Sequence, residues 1–146
     1  MEVIDLIPNA MSFRVIVTLD IEDEREVPEG FTGRVRRSAG GYIAYVAWYE
    51  RGLLQNPGRK HPAYRRFRPD GQLKFDLFYA NGLLEDPGHG TPAVRGYFAN
   101  GVVHYEERYR GGQRNDGDDG SPAIRKYRAD GTVRHELHYR DGVRIR

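Results

Sequence analysis

The sequence predicts an all-β repeat protein, an elongated, twisted, antiparallel β-meander built from 30-residue units. Three observations support this prediction. Gly41, Gly71, Gly101 and Gly131 are spaced 30 residues apart without insertion or deletion. Apolar residues follow these glycines mainly at every second position, which is the period of a strand with one apolar face. An Asp or Asn precedes each of the last three glycines, a pattern typical of tight hairpin turns.

We predict that the whole chain, residues 1–146, forms a single repeat domain. Its parts are an N-terminal segment (1–10), a degenerate capping repeat (11–40), three full repeats (41–70, 71–100 and 101–130) and a half repeat (131–146). Phe13, Val15, Val17 and Leu19 fall in frame with the first strand of the next unit. Terminal units of repeat proteins are commonly modified as caps. An unrelated N-terminal strand pair is the alternative interpretation of residues 11–40.

The turn Pro69-Asp70-Gly71 predicts a strand register in which facing residues have numbers that sum to 140. The register pairs Phe67 with Leu73, Arg65 with Phe75 and Ala63 with Leu77, and it repeats in the later units. It places Arg65 on the apolar face. A second set of turns, at Gly52, Gly82, Gly112 and Gly142, is expected to reverse the chain at the other end of each strand.

Composition excludes several classes of protein. There is no cysteine, so disulfides and thiolate metal sites cannot form. A net charge of +2 is too even for nonspecific nucleic-acid binding, and nucleic acid is not expected as a partner. The sequence contains neither a signal-peptide pattern nor an apolar run long enough to span a membrane, so the expected location is the cytoplasm.

The chain carries no motif typical of catalysis or of a cofactor site, and we expect a protein that is not an enzyme and holds no cofactor or metal. The acidic segment 115–120 lacks the oxygen spacing of a calcium loop. His135 and His138 are expected on opposite faces of one strand, which argues against joint metal ligation.

Arg65, Arg95 and Arg125 recur at one position of the repeat and are candidates for partner binding. They could form a row that reaches a partner's carboxylate or phosphate, or they could stack internally on Phe75 and Tyr105. The second interpretation is favoured because a residue that recurs with the repeat is typical of a scaffold position.

Glu107 stands where the other units have an apolar residue, so we expect an ion pair with Arg95 or Arg125, with a ligand-facing carboxylate as the alternative. Trp48 and Phe78, with Val46, lie on the nominally outer face. Either the N-terminal residues Val3, Ile4 and Leu6 cover them, or they form an exposed patch for a partner or for a second copy of the chain.

The segment Ser121-Pro122-Ala123-Ile124-Arg125-Lys126-Tyr127, followed by Asp130-Gly131, Glu136, Tyr139 and Gly142, resembles the MORN-variant repeats of bacterial and phage proteins, including YwqK-type antitoxins. The resemblance covers residues 41–146. It implies a noncatalytic binding protein, of antitoxin or immunity type, whose partner is a protein such as a toxin. Attachment to anionic lipid through the basic stretch 59–68, or a self-assembling structural role, are the alternatives.

Overall fold

The computed structural model describes residues 2–8 and 13–146, with side chains from Val17 onward. The protein is all-β, as predicted: strands make up 52% of the residues, and the described residues contain no α-helix. One 3-10 turn, Glu24–Glu26, follows the second strand. Most of the strands belong to one long, open, mixed sheet that is predominantly antiparallel.

The strands are numbered along the chain. The N-terminal region and the first full unit contain β1 (Glu2–Pro8), β2 (Phe13–Ile21), β3 (Gly33–Ala39), β4 (Tyr42–Glu50), β5 (Leu53–Leu54) and β6 (Tyr64–Phe67). The second unit contains β7 (Leu73–Leu77), β8 (Tyr79–Ala80), β9 (Leu83–Leu84) and β10 (Val94–Tyr97). The remainder contains β11 (Val103–Glu107), β12 (Tyr109–Arg110), β13 (Gln113–Arg114), β14 (Ile124–Tyr127), β15 (Val133–Arg140) and β16 (Val143–Ile145).

The order of strands in the main sheet is β1-β2-β3-β4-β6-β7-β10-β11-β14-β15-β16, and β5 pairs with β4. The short ribbons β8-β9 and β12-β13 form separate hairpins. Sequence order is therefore kept along the whole sheet, as expected for a meander in which each unit contacts its neighbours.

One strand pair departs from the predicted antiparallel meander: β2 and β3 run parallel, with Leu19 opposite Val35. The corresponding strands of the next unit, β4 and β6, are antiparallel. Parallel strands need a crossover connection rather than a hairpin. Residues 22–32 provide that connection, and a capping box between Asp23 and Glu26 fixes its 3-10 turn.

The glycine turns form as the sequence predicts. Gly71, Gly101 and Gly131 have φ values of 89°, 86° and 90°, a region that residues with a Cβ seldom occupy. In the first of these turns the Arg68 N–H donates to the Gln72 carbonyl at 2.7 Å, and the Asp70 side chain accepts from the Gln72 N–H. The second set has two consecutive positive φ values, for example 51° at Asn81 and 81° at Gly82, which is the type I′ hairpin turn.

The predicted register is correct for one pair in the 64–77 hairpin and wrong for the rest. Phe67 faces Leu73, but a bulge between Arg66 and Phe67 then shifts the pairing by one residue. Arg65 therefore lies opposite Asp76, not Phe75, and it projects from the face opposite to that of Phe75. The same shift recurs in the two later hairpins.

A side-chain oxygen at one position of each unit links that unit to the next. Asp86 Oδ1 accepts the backbone N–H groups of Ala93 at 2.8 Å and Tyr109 at 3.0 Å. Asn56 and Asp116 make the equivalent pairs of bonds one unit earlier and one unit later. Because Ala93 has no exposed surface, its N–H needs this partner.

The main cluster of buried apolar residues lies near the N-terminal end, where Ile21, Val35, Ala44, Tyr45 and Ala47 pack together. Towards the C-terminus Ala63, Ala93 and Ala123, at one position of successive units, are completely buried, and Phe78, Val94 and Ile124 are also buried. β1 lies at the edge of the sheet beside β2, with β2 and β3 separating it from β4. This placement contradicts the expectation that the N-terminal segment folds over Trp48 and Phe78; the side chains of Val3, Ile4 and Leu6 lie outside the described residues.

Candidate functional site

A row of charged residues crosses the sheet perpendicular to its strands. Strand pairing places one residue from each strand directly opposite the next, in the order Asp20, Arg36, Val46, Arg65, Asp76, Arg95, Glu106, Arg125 and Glu136. We call this set the charge row. Acid and base alternate along it except at Val46, because the capping repeat and the second and third full repeats each contribute one acid and one arginine.

Neighbouring members of the charge row form ion pairs within the hairpins. Arg65 Nε lies 3.1 Å from Asp76 Oδ1, Arg95 Nη2 lies 2.7 Å from Glu106 Oε2, and Arg125 Nε lies 2.7 Å from Glu136 Oε2. Asp20 and Arg36 form a two-point contact at the N-terminal end. The arginines predicted to stack on Phe75 and Tyr105 instead pair with carboxylates on the opposite face.

The surroundings shift the two central acids of the charge row in opposite directions. Burial raises the pKa of Asp76 above its ordinary value of 3.8, although Arg65 opposes the shift. Burial also acts to raise the pKa of Glu106, but hydrogen bonds from the Tyr127 hydroxyl and Arg95 outweigh it, and the net pKa is lowered. The Tyr127 hydroxyl donates to Glu106 at 2.6 Å. Both carboxylates are therefore engaged with other groups of the sheet itself.

Glu107 does not pair with Arg95 or Arg125 as predicted. Its Oε1 accepts from the Tyr109 hydroxyl at 3.0 Å and from Arg114 Nη2 at 3.3 Å. Because of the one-residue shift, Arg95 and Arg125 lie on the other face of the sheet. Glu107 thus has local partners on its own face.

Trp48 and Phe78 do not form one exposed patch. Phe78 is only 7% exposed, so its ring is not offered to a partner at the surface. Trp48 is half-buried, and the guanidinium of Arg34 lies 5.5 Å from its ring centroid, a cation–π distance. The alternative of an exposed patch is therefore wrong for Phe78, whose position in the unit is taken later by Arg108 and His138.

The positions of Phe78, Arg108 and His138 each lie beside the residue that links two units. Asn56 bonds the backbone N–H of Tyr79, the residue after Phe78, whereas the side chain of Asp86 lies 3.6 Å from that of Arg108 and Asp116 lies 2.7 Å from His138. An uncharged linking residue thus accompanies an aromatic ring, and a charged one accompanies a cation or an imidazole. Arg108 also donates to the Gly90 carbonyl at 2.9 Å, so it is fixed at two points.

An open cleft of about 250 Å³ lies between the loops of the second and third units. Arg108, Tyr109 and Asp86 form its floor, and the loop 115–119 forms one wall. The floor groups are held by bonds within the protein, and nothing in the cleft pairs a nucleophile with a base. Among residues 17–146, no group of three metal-ligating side chains comes together, and Asp116 of the acidic loop is used in the link between units.

Large apolar side chains are exposed along the edge formed by the type I′ turns. Leu53 is 50% exposed, Leu83 is 52% exposed and Val143 is 66% exposed, and these residues occupy the same position of successive units. Gln113 occupies that position in the third unit. We call Leu53, Leu83, Gln113 and Val143 the turn-edge stripe. Sequence reasoning missed it, although the 30-residue spacing of these residues beside the turn glycines was visible.

The basic stretch 59–68 is only partly available at the surface. Arg65 pairs with Asp76, Arg66 Nη1 donates to the Tyr64 hydroxyl at 3.1 Å, and Arg68 Nη2 donates to the Tyr97 carbonyl at 2.8 Å. These contacts leave Arg59 and Lys60 as the exposed cations of the loop. The part of the chain that the structure describes has no helix long and apolar enough to cross a membrane.

No family model, no curated protein and no solved structure matches this chain. The geometry itself defines the class of protein: an open repeat sheet whose recurrent charged residues form ion pairs within the sheet.

Proposed function

We propose that this chain is a noncatalytic repeat module that binds another protein, of the antitoxin or immunity type. The observation that carries the proposal is the turn-edge stripe, where apolar side chains about half exposed recur once per unit. Exposed apolar residues that align along one edge are typical of a surface that another protein covers. The resemblance to MORN-variant antitoxins supports the same class of function.

The pattern of contacts explains why this edge is favoured over the sheet faces. Arg65, Arg95 and Arg125 are engaged with acids on neighbouring strands, so binding through them would first break internal ion pairs. Leu53 and Leu83 lie beside the turn glycines of the next unit, Gly82 and Gly112, and about half of each side chain is exposed. Burying the rest of each leucine would contribute roughly 1 kcal/mol to association.

The test is capture of the partner from a lysate of the native host with tagged protein, with washes at low and high salt. The variant Leu53→Gln/Leu83→Gln carries at both positions the residue that the third unit has naturally, so the fold is expected to be retained. Ile43→Gln, at an apolar residue that is 38% exposed elsewhere, is the matched control.

We expect one stoichiometric protein that survives high salt with the wild type and the control, and is lost with the double variant. In an activity assay of the purified partner, only the variants that bind the partner should change its activity. If the tagged protein captures only lipid or nucleic acid, and high salt releases it, the proposal is overturned. Equal capture by the double variant would refute the role of the turn-edge stripe.

A further inference from the structure

We propose that one face of the sheet binds single-stranded nucleic acid, with bases stacked on Phe75 and Tyr105 and phosphates held by Arg66 and Lys126. This face is opposite to the charge row and separate from the turn-edge stripe, so the inference stands independently of the proposed function. Its basis is a second row of residues across the sheet, in which rings alternate with cations.

The strand register defines this second row, which lies one residue away from the charge row on every strand. Its members lie directly opposite one another on successive strands: Tyr45, Arg66, Phe75, Gly96, Tyr105, Lys126 and His135. We call this set the ring–cation row. Strands β4, β7, β11 and β15 contribute a ring, and β6 and β14 contribute a cation. Because neighbouring residues of a strand point to opposite faces, the row projects from the face opposite to the charge row.

The two faces differ in charge, which the net charge of +2 for the whole chain conceals. In the strands that carry the ring–cation row, all of which the structure describes, Glu107 is the one acid on the same face, and it is held by Tyr109 and Arg114. Among residues 17–146, Arg66 and Lys126 have no acid at ion-pair distance. The composition argument against nucleic acid therefore does not apply to this face.

The rings of the row are held in place from within the sheet. Tyr64 stacks on both Tyr45 and Phe75, with centroid distances of 4.9 Å and 5.9 Å. Tyr45 is only 6% exposed, so the accessible part of the row begins beyond it. The ring of Tyr105 lies across Gly96, because a Cβ at residue 96 would overlap its Cε1 and Cζ atoms. Phe75 and Tyr105 are both partly exposed, so each offers a fixed ring on which a base can stack.

Lys126 lies directly opposite Tyr105 on the adjoining strand, and it is exposed. It shares an open depression of about 260 Å³ with Arg134 and His135 of β15. Two cations and an imidazole thus converge one strand away from a ring, at a separation of about 4.8 Å between strands. A phosphate can occupy this depression while its base stacks on Tyr105.

Arg66 has the corresponding place beside Phe75, which lies directly opposite it on β7. Its Nη1 donates to the Tyr64 hydroxyl at 3.1 Å, which uses one of the five donors of the guanidinium. Arg66 and Lys126 both lie on strands that are paired on both sides, β6 and β14, so their positions are fixed by the body of the sheet.

This combination favours single-stranded nucleic acid over other anions. Cations that follow a backbone, together with rings that stack on its bases, are the usual means of binding single strands without sequence preference. A lipid headgroup would satisfy Arg66 and Lys126 but has no planar group for Phe75 and Tyr105. The accessible part of the row, from β6 to β15, is about 25 Å long, which is enough for several nucleotides.

Fluorescence anisotropy of a labelled oligothymidylate of about 12 nucleotides, titrated with the full chain at several salt concentrations, tests the proposal. We expect binding that weakens as the salt concentration rises. The matched ligand is an abasic oligonucleotide with the same number of phosphates. It should bind about fivefold more weakly or worse, because it cannot stack on the rings.

Tyr105→Leu should weaken oligothymidylate binding about fivefold or more and reduce the preference over the abasic ligand, whereas Tyr105→Phe should bind as the wild type does. Lys126→Gln should weaken binding of both oligonucleotides and lower the slope of log K against log salt by about 0.7. Circular dichroism melts report whether each variant is folded, and the exposed Lys126 is not expected to affect folding.

Lys60→Gln is the matched control, since it removes the same charge from an exposed lysine outside the ring–cation row. It should leave the affinity and the salt slope unchanged. Leu53→Gln/Leu83→Gln should also bind oligothymidylate normally, which separates this inference from the proposed function.

Three results would overturn the proposal. One is equal binding of the oligothymidylate and the abasic oligonucleotide by the wild type. Another is oligothymidylate binding that both Tyr105→Leu and Lys126→Gln leave intact, which would place the nucleic acid on another surface. The third is no binding of oligothymidylate at low salt, and flotation with phosphatidylglycerol vesicles in that case would assign the face to a membrane surface.

Discussion

The Oδ2 atom of Asp116 lies 2.7 Å from Nδ1 of His138. Its Oδ1 atom accepts hydrogen bonds from the backbone N–H groups of Ala123 and Tyr139. One carboxylate thus holds the backbone of two strands and orients a ring. With burial opposing it, the contact with His138 and the backbone N–H groups lower the pKa of Asp116. Asn56 and Asp86 hold the equivalent oxygen in the earlier units, so substitutions at these positions test the link between units.

Asp86→Ala should destabilise the protein by about 2–4 kcal/mol, since it leaves the N–H groups of Ala93 and Tyr109 without their acceptor. Asp86→Asn keeps an oxygen at that position, as Asn56 does one unit earlier, and should have a much smaller effect. Urea unfolding followed by circular dichroism measures both. Equal losses of stability for the two variants would show that the charge near Arg108, not the pair of backbone bonds, is the important contact.

Phe78→Arg should be strongly destabilising, by about 3–5 kcal/mol, because it replaces a buried ring with a cation, and the linking residue Asn56, which bonds the backbone of Tyr79, carries no charge. Adding Asn56→Asp recreates the pairing that the next unit makes between Asp86 and Arg108. The double variant should recover about 1–2 kcal/mol relative to the single one. Additive effects in a double-mutant cycle would contradict the coupling of these two positions.

Gly96→Ala should destabilise the protein by about 1–3 kcal/mol, since a Cβ at residue 96 would overlap the ring of Tyr105 on the facing strand. The other units have Arg66 and Lys126 at this position, so the strand itself tolerates a side chain. Tyr105→Val removes the ring, and in that background the same glycine substitution should cost little. Thermal melts of the four proteins test this, and a penalty that persists without the ring would refute the steric explanation.

Glu106 should make stability depend on pH in a defined direction. Its pKa is lowered in the folded protein, so its stabilising contribution is present above the ordinary value of 4.5 and is lost as the pH falls through the folded value. Melting temperatures of wild type and Glu106→Gln should therefore differ more at pH 7 than at pH 3.

Asp76 provides the comparison of opposite sign. Burial raises its pKa, so the folded protein binds this proton more tightly than the unfolded chain, and stability falls as the pH rises from 3.8 through the raised value. The difference between wild type and Asp76→Asn should change with pH in the opposite sense to that of Glu106→Gln. The same trend for both variants would contradict the assignment of the two shifts.

The sequence was sufficient to predict the β class, the 30-residue period and the turns, because glycines at positive φ and alternating apolar residues are local signals. The register was not predictable to one residue, since the bulge at Arg66 depends on how the turn closes. Because of this shift of one residue, Arg65 lies on the face opposite to the predicted one. Likewise, no local signal distinguishes the parallel pair β2-β3 from a hairpin.

The candidate sites were predicted less well than the fold because partners come from neighbouring strands and units. Asp76, Glu106 and Glu136 also recur every 30 residues, and this spacing could have paired them with the arginines before the structure was known. Whether Arg65, Arg95, Arg125, Trp48 or Glu107 contact a protein partner stays a prediction.

The oxygen link at Asn56, Asp86 and Asp116 has a consequence for how the length of this protein can change. Deletion of residues 71–100 would join Asp70 to Gly101 within the same kind of turn and leave Asn56 facing Tyr109 instead of Tyr79. Arg65 would then meet Glu106 in place of Asp76. Loss of this unit therefore preserves the turn, the oxygen link and the ion pair of the hairpin, but it places Arg108 at the position of Phe78, so a change of length by 30 residues needs a compensating change at Asn56.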